Sequence, residues 1–321
     1  ASLAACTGTP AADTSTVTIA YDSDLAPQGY DPQRYSAAQA ILFSGLYDSL
    51  FARQEDGSVA PQLATEAVYN DDNTVLTLTL DTTATFTDGG TLTADLVKAN
   101  LDRRSDPELV AYSAFATGGA TEITSVDVVD DTHVSLTFLA PQPGFETNLA
   151  GVTGAIVGQA GIDDVASLGT TPDGSGPFTL DASTVKGSSY VLKKKDAHPN
   201  LDNYGFDTYI FKPIEDPQAR TNAIISGQAD IGYIDTTTAS LASDKGLELS
   251  QVGGTIFSLL VFDKSGVTNP AFADPNVRVA LGLSIDRQAL VDGVHPGNIP
   301  AVNALPKDSP GWSADIDSEY A

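Results

Sequence analysis

Two stretches follow a period of two closely enough to dictate their local structure. Leu76, Leu78 and Leu80 alternate with Thr77 and Thr79, and Val134, Leu136 and Phe138 alternate with Ser135 and Thr137. Successive side chains of a strand point to opposite faces, so each stretch reads as a half-buried β-strand. Asp71-Asp72-Asn73 forms a turn cluster ahead of the first. Asp130-Asp131 separates the second from Ile123–Val129, which predicts a hairpin. Between these strands a helix is expected to start near Thr93, with Leu96, Val97 and Leu101 on one face.

The flanking sequence mixes strands and helices. Val17-Thr18-Ile19-Ala20-Tyr21 reads as a first strand, Asp31-Pro32 ends an irregular stretch, and residues 36–47 suit a core helix. Asp216-Pro217 and Asp274-Pro275 each place an N-cap carboxylate before a proline at the first helical position. The first predicted helix turns Ala219, Ala223 and Ile224 inwards and stops at Gly227. The second carries a stripe of Val277, Ala280, Leu281 and Ile285 and stops at Gly293.

Composition narrows the function. With 16 Lys+Arg against 42 Asp+Glu the net charge is −26, so phosphate-backbone binding is disfavoured and no nucleic-acid partner is expected. The one basic run, Lys193-Lys194-Lys195, is expected to be a solvated face. Hydrophobic residues at 41% supply core enough for a folded chain, while no run approaches the ~18 apolar residues of a membrane span.

Cys6 is the only cysteine, which excludes an internal disulfide and a multi-cysteine zinc site. Leu3-Ala4-Ala5-Cys6, followed by small and polar residues to Thr16, is similar to a bacterial lipobox. On that reading residues 1–5 are the remnant of a signal peptide, Cys6 carries the lipid and residues 6–16 are a flexible tether. The protein would then be extracytoplasmic, anchored to the outer face of the cytoplasmic membrane by lipid alone, or periplasmic. A buried structural cysteine is the alternative. The absence of Met reads as processing or clipping at the N-terminus.

No catalytic, metal or cofactor constellation stands out. His133, His198 and His295 show no metal-ligand spacing, and there is no nucleophile elbow, dinucleotide loop, phosphate loop or calcium loop. Asp71-Asp72, Asp130-Asp131 and Asp163-Asp164 sit in turn-like settings and read as solvated carboxylates. His133 is expected to face solvent. No cofactor and no metal are expected.

Five motifs in order resemble family 5 of the extracytoplasmic solute-binding proteins of ABC importers, the peptide, oligopeptide and nickel-binding group. They are Leu46-Tyr47-Asp48-Ser49-Leu50-Phe51 with Asp56-Gly57 and Pro61-Gln62-Leu63-Ala64; Phe86-Thr87-Asp88-Gly89 with Thr93-Ala94-Asp95-Leu96-Val97; Gly174-Ser175-Gly176-Pro177-Phe178; Ser226-Gly227-Gln228-Ala229-Asp230-Ile231; and Val277-Arg278-Val279-Ala280-Leu281 with Ser284-Ile285-Asp286-Arg287. Ala67 and Leu96 depart from the pattern, where the family usually carries Trp and an acidic residue. These motifs read as scaffold. Asp88-Gly89 is a turn, Gly176 permits close approach of a neighbour, and Arg278, Asp286 and Arg287 serve ion pairs or caps.

The resemblance implies an α/β, two-lobe fold of the periplasmic-binding-protein type II kind with an extra β-rich subdomain in the first lobe. Lobe I would be 17–47 and 160–254, the β-rich subdomain 48–159, and a truncated lobe II 255–321. It implies a non-enzymatic, monomeric receptor that captures di- or oligopeptides, or a similar small solute, between the lobes and delivers them to the ABC permease subunits. Nickel or a metal chelate is the alternative ligand, and a lipid-tethered secreted hydrolase the least favoured reading. The residues it places at the ligand are Tyr35, Ser36, Ala38, Tyr112, Tyr233, Ile234, Asp235, Phe257 and Ser258. Tyr35 and Tyr112 have ordinary surface or core packing as their alternative, and Phe257 is equally compatible with the core.

Overall fold

The computed structural model describes residues 15–35, 39–54, 56–110, 115, 122–250, 259–294, 299–301, 303 and 312–316. Its contacts divide the chain into two compact units, 1–233 and 234–321, with the division ahead of the 254/255 boundary read from the sequence.

In the first unit the alternating segments form a four-stranded antiparallel sheet. β4 (Ala64–Tyr69), β5 (Val75–Leu80), β6 (Ile123–Asp130) and β7 (His133–Phe138) lie in the order β4-β5-β7-β6. Leu78 pairs with Val134, and Leu76 with Leu136. All four side chains are buried, while the threonines and serines between them take the opposite face. β6 and β7 form the expected hairpin, closed across Asp131 and Thr132. Helix α2 (Ala94–Asp102) packs against β6 and β7. Thr93 caps it by accepting from the Leu96 amide at 3.1 Å, and Leu96, Val97 and Leu101 are buried as the periodicity requires. A small two-stranded ribbon, β2 (Phe51–Arg53) with β3 (Val59–Pro61), joins the same core.

A second core in this unit is built on a mixed five-stranded sheet of order β11-β1-β10-β9-β8. Its strands are β1 (Thr16–Tyr21), β8 (Phe178–Leu180), β9 (Tyr190–Lys194), β10 (Thr208–Pro213) and β11 (Ile231–Gly232). β1, β10 and β11 run parallel, and β9 and β8 complete an antiparallel meander. Helix α1 (Ala40–Leu46) packs on β8, while α3 (Gln159–Asp163) lies near α2. The core around the four-stranded sheet draws on residues from Leu50 to Ile156. The other draws on Val17 to Tyr47 and Ala155 to Phe211.

Helix α4 (Pro217–Ile225) connects β10 to β11 and begins as predicted, with the Asp216 carboxylate accepting from the Ala219 amide at 2.7 Å. Its inward face differs from the expectation. Arg220, Thr221 and Ala223 are buried and Ala219 is exposed. The reading from apolar periodicity could not select a charged side chain as the buried one.

The second unit contains α5 (Ala239–Asp244), α6 (Pro275–Leu283) and α7 (Arg287–Val294). The Asp263 carboxylate organises its longest described loop by accepting from the amides of Val267, Thr268 and Asn269. Asp274 caps α6 as predicted. The single helix expected to reach Gly293 is instead two, because Asp286 accepts from the Ala289 amide at 2.9 Å and starts a new helix. The predicted stripe is not buried, and Val277 and Leu283 are exposed. Among the described residues no helix is long and apolar enough to cross a membrane.

Candidate functional site

Three parallel strands end together at one edge of the five-stranded sheet. The Ile214 amide donates to the Tyr21 carbonyl at 2.7 Å, and the Tyr233 amide to the Ala20 carbonyl at 3.1 Å, so the chain leaving β10 and β11 stays tied to β1. In open α/β sheets the carboxyl ends of the strands are where ligands are held. The approach of β11 depends on Gly232. A Cβ there would lie 2.6 Å from the Ala20 carbonyl oxygen and 2.9 Å from both the Ala20 Cβ and the Ile224 Cδ1.

Arg220 locks this edge from beneath. Its Nε donates to the Tyr233 carbonyl at 2.7 Å, and its Nη1 to the carbonyls of Ile214 at 2.7 Å and Glu215 at 3.0 Å. One buried guanidinium thus satisfies backbone acceptors from both strand ends, which is what makes its burial tolerable. The guanidinium carbon also lies 5.7 Å from the centroid of the Tyr233 ring. Tyr233 itself is 55% exposed. Burial, with Asp22 and Tyr233 beside it, raises the Tyr21 phenol above its ordinary range. The edge therefore presents an exposed aromatic ring on a rigid cationic support, with a second tyrosine and an aspartate alongside.

Of the residues read as ligand-facing, Tyr233 lies at this edge. Ile234 and Asp235 follow as the first residues of the second unit and are half-buried. Ser36, Ala38, Tyr112, Phe257 and Ser258 lie outside the described residues, as does Cys6. Tyr35 is placed in the core. Its hydroxyl donates to the Gly29 carbonyl at 2.9 Å and accepts from the Gln28 amide at 2.7 Å, and its ring stacks on Phe43 at 4.7 Å. Burial pushes its phenol up to about 12. The packing alternative is the one its surroundings match: both hydrogen-bonding capacities are used within its own unit.

A second polar cluster joins two of the sequence motifs. The buried Asp48 carboxylate accepts from Gln62 Nε2 at 2.6 Å through one oxygen, and from Ser175 Oγ at 3.0 Å and His198 Nε2 at 3.0 Å through the other. The Asn200 amide donates to His198 Nδ1 at 3.2 Å, which assigns the imidazole hydrogen to Nε2. Lys195 Nζ donates to the Ser175 carbonyl at 3.1 Å. Burial lowers the Lys195 ammonium below the usual lysine range, opposed by Asp48 and Asp173. A serine, a histidine and an aspartate meet here, but the hydroxyl and the imidazole both turn to one carboxylate oxygen. The serine is hydrogen-bonded to the acid rather than to the base, the reverse of what activates a nucleophile.

The basic run is more integrated than a solvated face. Lys193 pairs with Asp181 at 2.7 Å, Lys194 donates to the Tyr204 carbonyl at 2.7 Å, and Lys195 enters the cluster above. His133 is half-exposed and pairs with Asp130 at 2.8 Å, which with the Thr132 amide holds that carboxylate at about 2. Arg278 donates to the carbonyls of Phe272 and Ala273, and Arg287 to that of Gly282, both structural contacts. His295 is outside the described residues. Neither Arg220 nor the Asp48–His198 contact was anticipated from the sequence. The Asp216-Pro217 cap fixes the phase of α4 and would have put Arg220 one turn in, but only the fold reveals what it meets.

Comparison with known proteins gives a consistent answer. The glutathione-binding protein GsiB of Salmonella choleraesuis (strain SC-B67) is 29% identical over 309 residues, covering 92% of this chain and 57% of the relative. The periplasmic binding protein AgaA of A. tumefaciens R10, solved with agropinic acid, superposes with a TM-score of 0.71 at 25% identity, covering 94% of this chain and 60% of that one. DppA of Helicobacter pylori, solved with the peptide STSA, shares the fold with a TM-score of 0.67 at 18% identity over 91% of this chain and 60% of that one. The chain thus spans somewhat more than half the length of these proteins. The family described as bacterial extracellular solute-binding proteins, family 5, middle region, matches residues 58–321. On that match, the chain belongs to the family 5 bacterial extracellular solute-binding proteins.

Proposed function

We propose that this chain is the greater part of a receptor that captures di- or oligopeptides outside the cytoplasm and hands them, chemically unchanged, to the permease of an ABC importer. A receptor of this kind holds its ligand more tightly in one conformation than in another, so that ligand shifts the population towards the form the permease accepts. Family membership supports the receptor role, and relatives named for glutathione and solved with a peptide favour peptide ligands. The observation that carries the reading is Tyr233, exposed at the shared carboxyl end of three parallel strands and seated on the Arg220 guanidinium. An aromatic ring with a polar tip on a rigid base suits contact with a peptide main chain. Cys6 would tether the receptor by lipid, and the receptor would act as a monomer.

The test is calorimetric titration of the full-length protein with glutathione, dipeptides and tetrapeptides, before and after Tyr233→Ala. Loss of one well-packed aromatic contact should weaken binding about tenfold. Unchanged affinity for a peptide that the wild type binds would remove Tyr233 from the site. A full-length protein that binds none of these and carries no peptide in native mass spectrometry would sink the peptide reading.

A further inference from the structure

β11 is two residues long, Ile231–Gly232, so its ladder with β1 is too short to fix the residue that follows it. The few hydrogen bonds of such a ladder are each of small net worth in water, and the ends of short elements fray. The start of the strand is pinned separately. The Asp230 amide donates to the Thr18 carbonyl at 2.8 Å, and the Asp230 carboxylate accepts from the Thr18 amide at 2.7 Å. The far end carries Tyr233, whose amide reaches the Ala20 carbonyl at 3.1 Å while the residue is 55% exposed. What holds that end is a side chain from α4.

Arg220 lies in the first turn of α4, and its amide donates to the Asp216 carbonyl at 2.9 Å. Its guanidinium turns back past the start of the helix. Nη1 meets the carbonyls of Ile214 and Glu215, on the chain leaving β10, and Nε meets that of Tyr233, on the chain leaving β11. A planar fork with fixed donors spans two strand exits, whereas a lysine ammonium is a single point donor. The bond to the Tyr233 carbonyl fixes the backbone, and the guanidinium carbon, 5.7 Å from the ring centroid, holds the ring. Arg220 is itself buried, so it acts on the ring and not on a solute. A contact residue already held in its bound orientation surrenders less freedom when ligand arrives, which is worth up to about tenfold in affinity. We propose that Arg220 is a positioning residue of the ligand site: without touching the solute, it holds Tyr233 in the orientation that receives it. The proposal rests on the reading of Tyr233 as a ligand contact.

The test uses the full-length protein and Arg220→Lys, which keeps the charge and loses the fork. In the variant the Tyr233 amide should exchange with solvent about tenfold faster, while the Asp230 amide, pinned to Thr18, changes little. For a peptide that the wild type binds, affinity should fall about tenfold. Adding Tyr233→Ala to Arg220→Lys should then weaken binding by no more than about twofold, because the ring has already lost its orientation. Asp216→Ala uncaps the helix that carries Arg220 and should produce both effects more weakly, so the question is answered even where Arg220→Lys folds poorly. Unchanged Tyr233 exchange in both variants would overturn the proposal. Equal acceleration at Asp230 and Tyr233, which marks a general loosening, would overturn it too, as would losses from Arg220→Lys and Tyr233→Ala that multiply in full. If Tyr233→Ala weakens binding and Arg220→Lys does not, the positioning role fails and the ligand contact survives. If Tyr233→Ala leaves affinity unchanged, or the full-length protein binds no peptide, the reading of the site fails and this inference falls with it.

Discussion

The Asp48 cluster makes a prediction that separates one hydrogen bond from its neighbours. Asp48→Ala strands three donors: Gln62 Nε2, Ser175 Oγ and His198 Nε2. Hydrogen bonds to a charged group contribute about 1.5–3 kcal/mol each, and the serine hydroxyl can turn elsewhere, so the loss should be about 4 kcal/mol. For a unit of this size that corresponds to roughly 8–16 °C in Tm. Asp48→Asn should be milder. Its oxygen still accepts from Gln62, and the Ser175 hydroxyl can reverse to accept from the new amide. His198 cannot adapt, because the Asn200 amide already donates to its Nδ1 and fixes the hydrogen on Nε2. Two donors then face each other, and the cost should be about 2 kcal/mol. Urea unfolding of Asp48→Asn, His198→Ala and the double variant closes a cycle in which His198→Ala costs about 2 kcal/mol in the wild type and close to nothing once Asp48→Asn is already in place. A coupling below about 0.5 kcal/mol, or an Asp48→Asn as damaging as Asp48→Ala, would refute the assignment of that hydrogen bond and of the tautomer.

Other consequences can be measured on the same protein. Gly176→Ala should be among the most damaging small changes, because its Cβ would lie 2.5 Å from the Leu46 carbonyl carbon and 2.6 Å from the Tyr47 nitrogen, backbone atoms that cannot yield; Gly89→Ala, strained by its φ of +87° but with open space around it, should cost only about 1–2 kcal/mol in the same urea assay. Asp216→Ala removes the cap of α4 and should cost about 1 kcal/mol, read from the urea midpoint. Burial, with Asp88 adding to it, raises the Asp173 carboxyl above its usual value, so the folded state binds more protons than the unfolded one just above the ordinary carboxylate range. Its contribution is complete below that range and is lost as pH rises through the folded value. Urea midpoints of Asp173→Asn relative to wild type should therefore improve between pH 4 and pH 7, and a difference that is flat with pH would contradict the assignment.

What the sequence disclosed, and what it did not, divides along a physical line. Leu76–Leu80 and Val134–Phe138 were legible because the pleat forces side chains to alternate, and one buried face writes that alternation into the residues. Thr93, Asp216 and Asp274 were legible because a helix start needs a side-chain acceptor wherever it occurs. Both signals are local. The break between α6 and α7 was missed although its cap, Asp286, stands in the sequence, because the apolar stripe of Val277, Ala280, Leu281 and Ile285 outweighed it. Arg220, by contrast, left no local trace. Its burial follows from carbonyls at Ile214, Glu215 and Tyr233, and those meet only when β10 and β11 flank β1. Asp48 and His198 are likewise 150 residues apart. Tyr35 shows the limit from the other side. A tyrosine after Asp31-Pro32 has the same composition signature whether its hydroxyl meets a ligand or, as here, the backbone of Gln28 and Gly29. Selection of a ligand therefore has to be sought in side chains that the fold leaves unsatisfied, not in residue types that a pocket would favour. By that criterion Tyr233 outranks Tyr35: the one keeps its ring exposed above a guanidinium, while the other has spent its hydroxyl within the core.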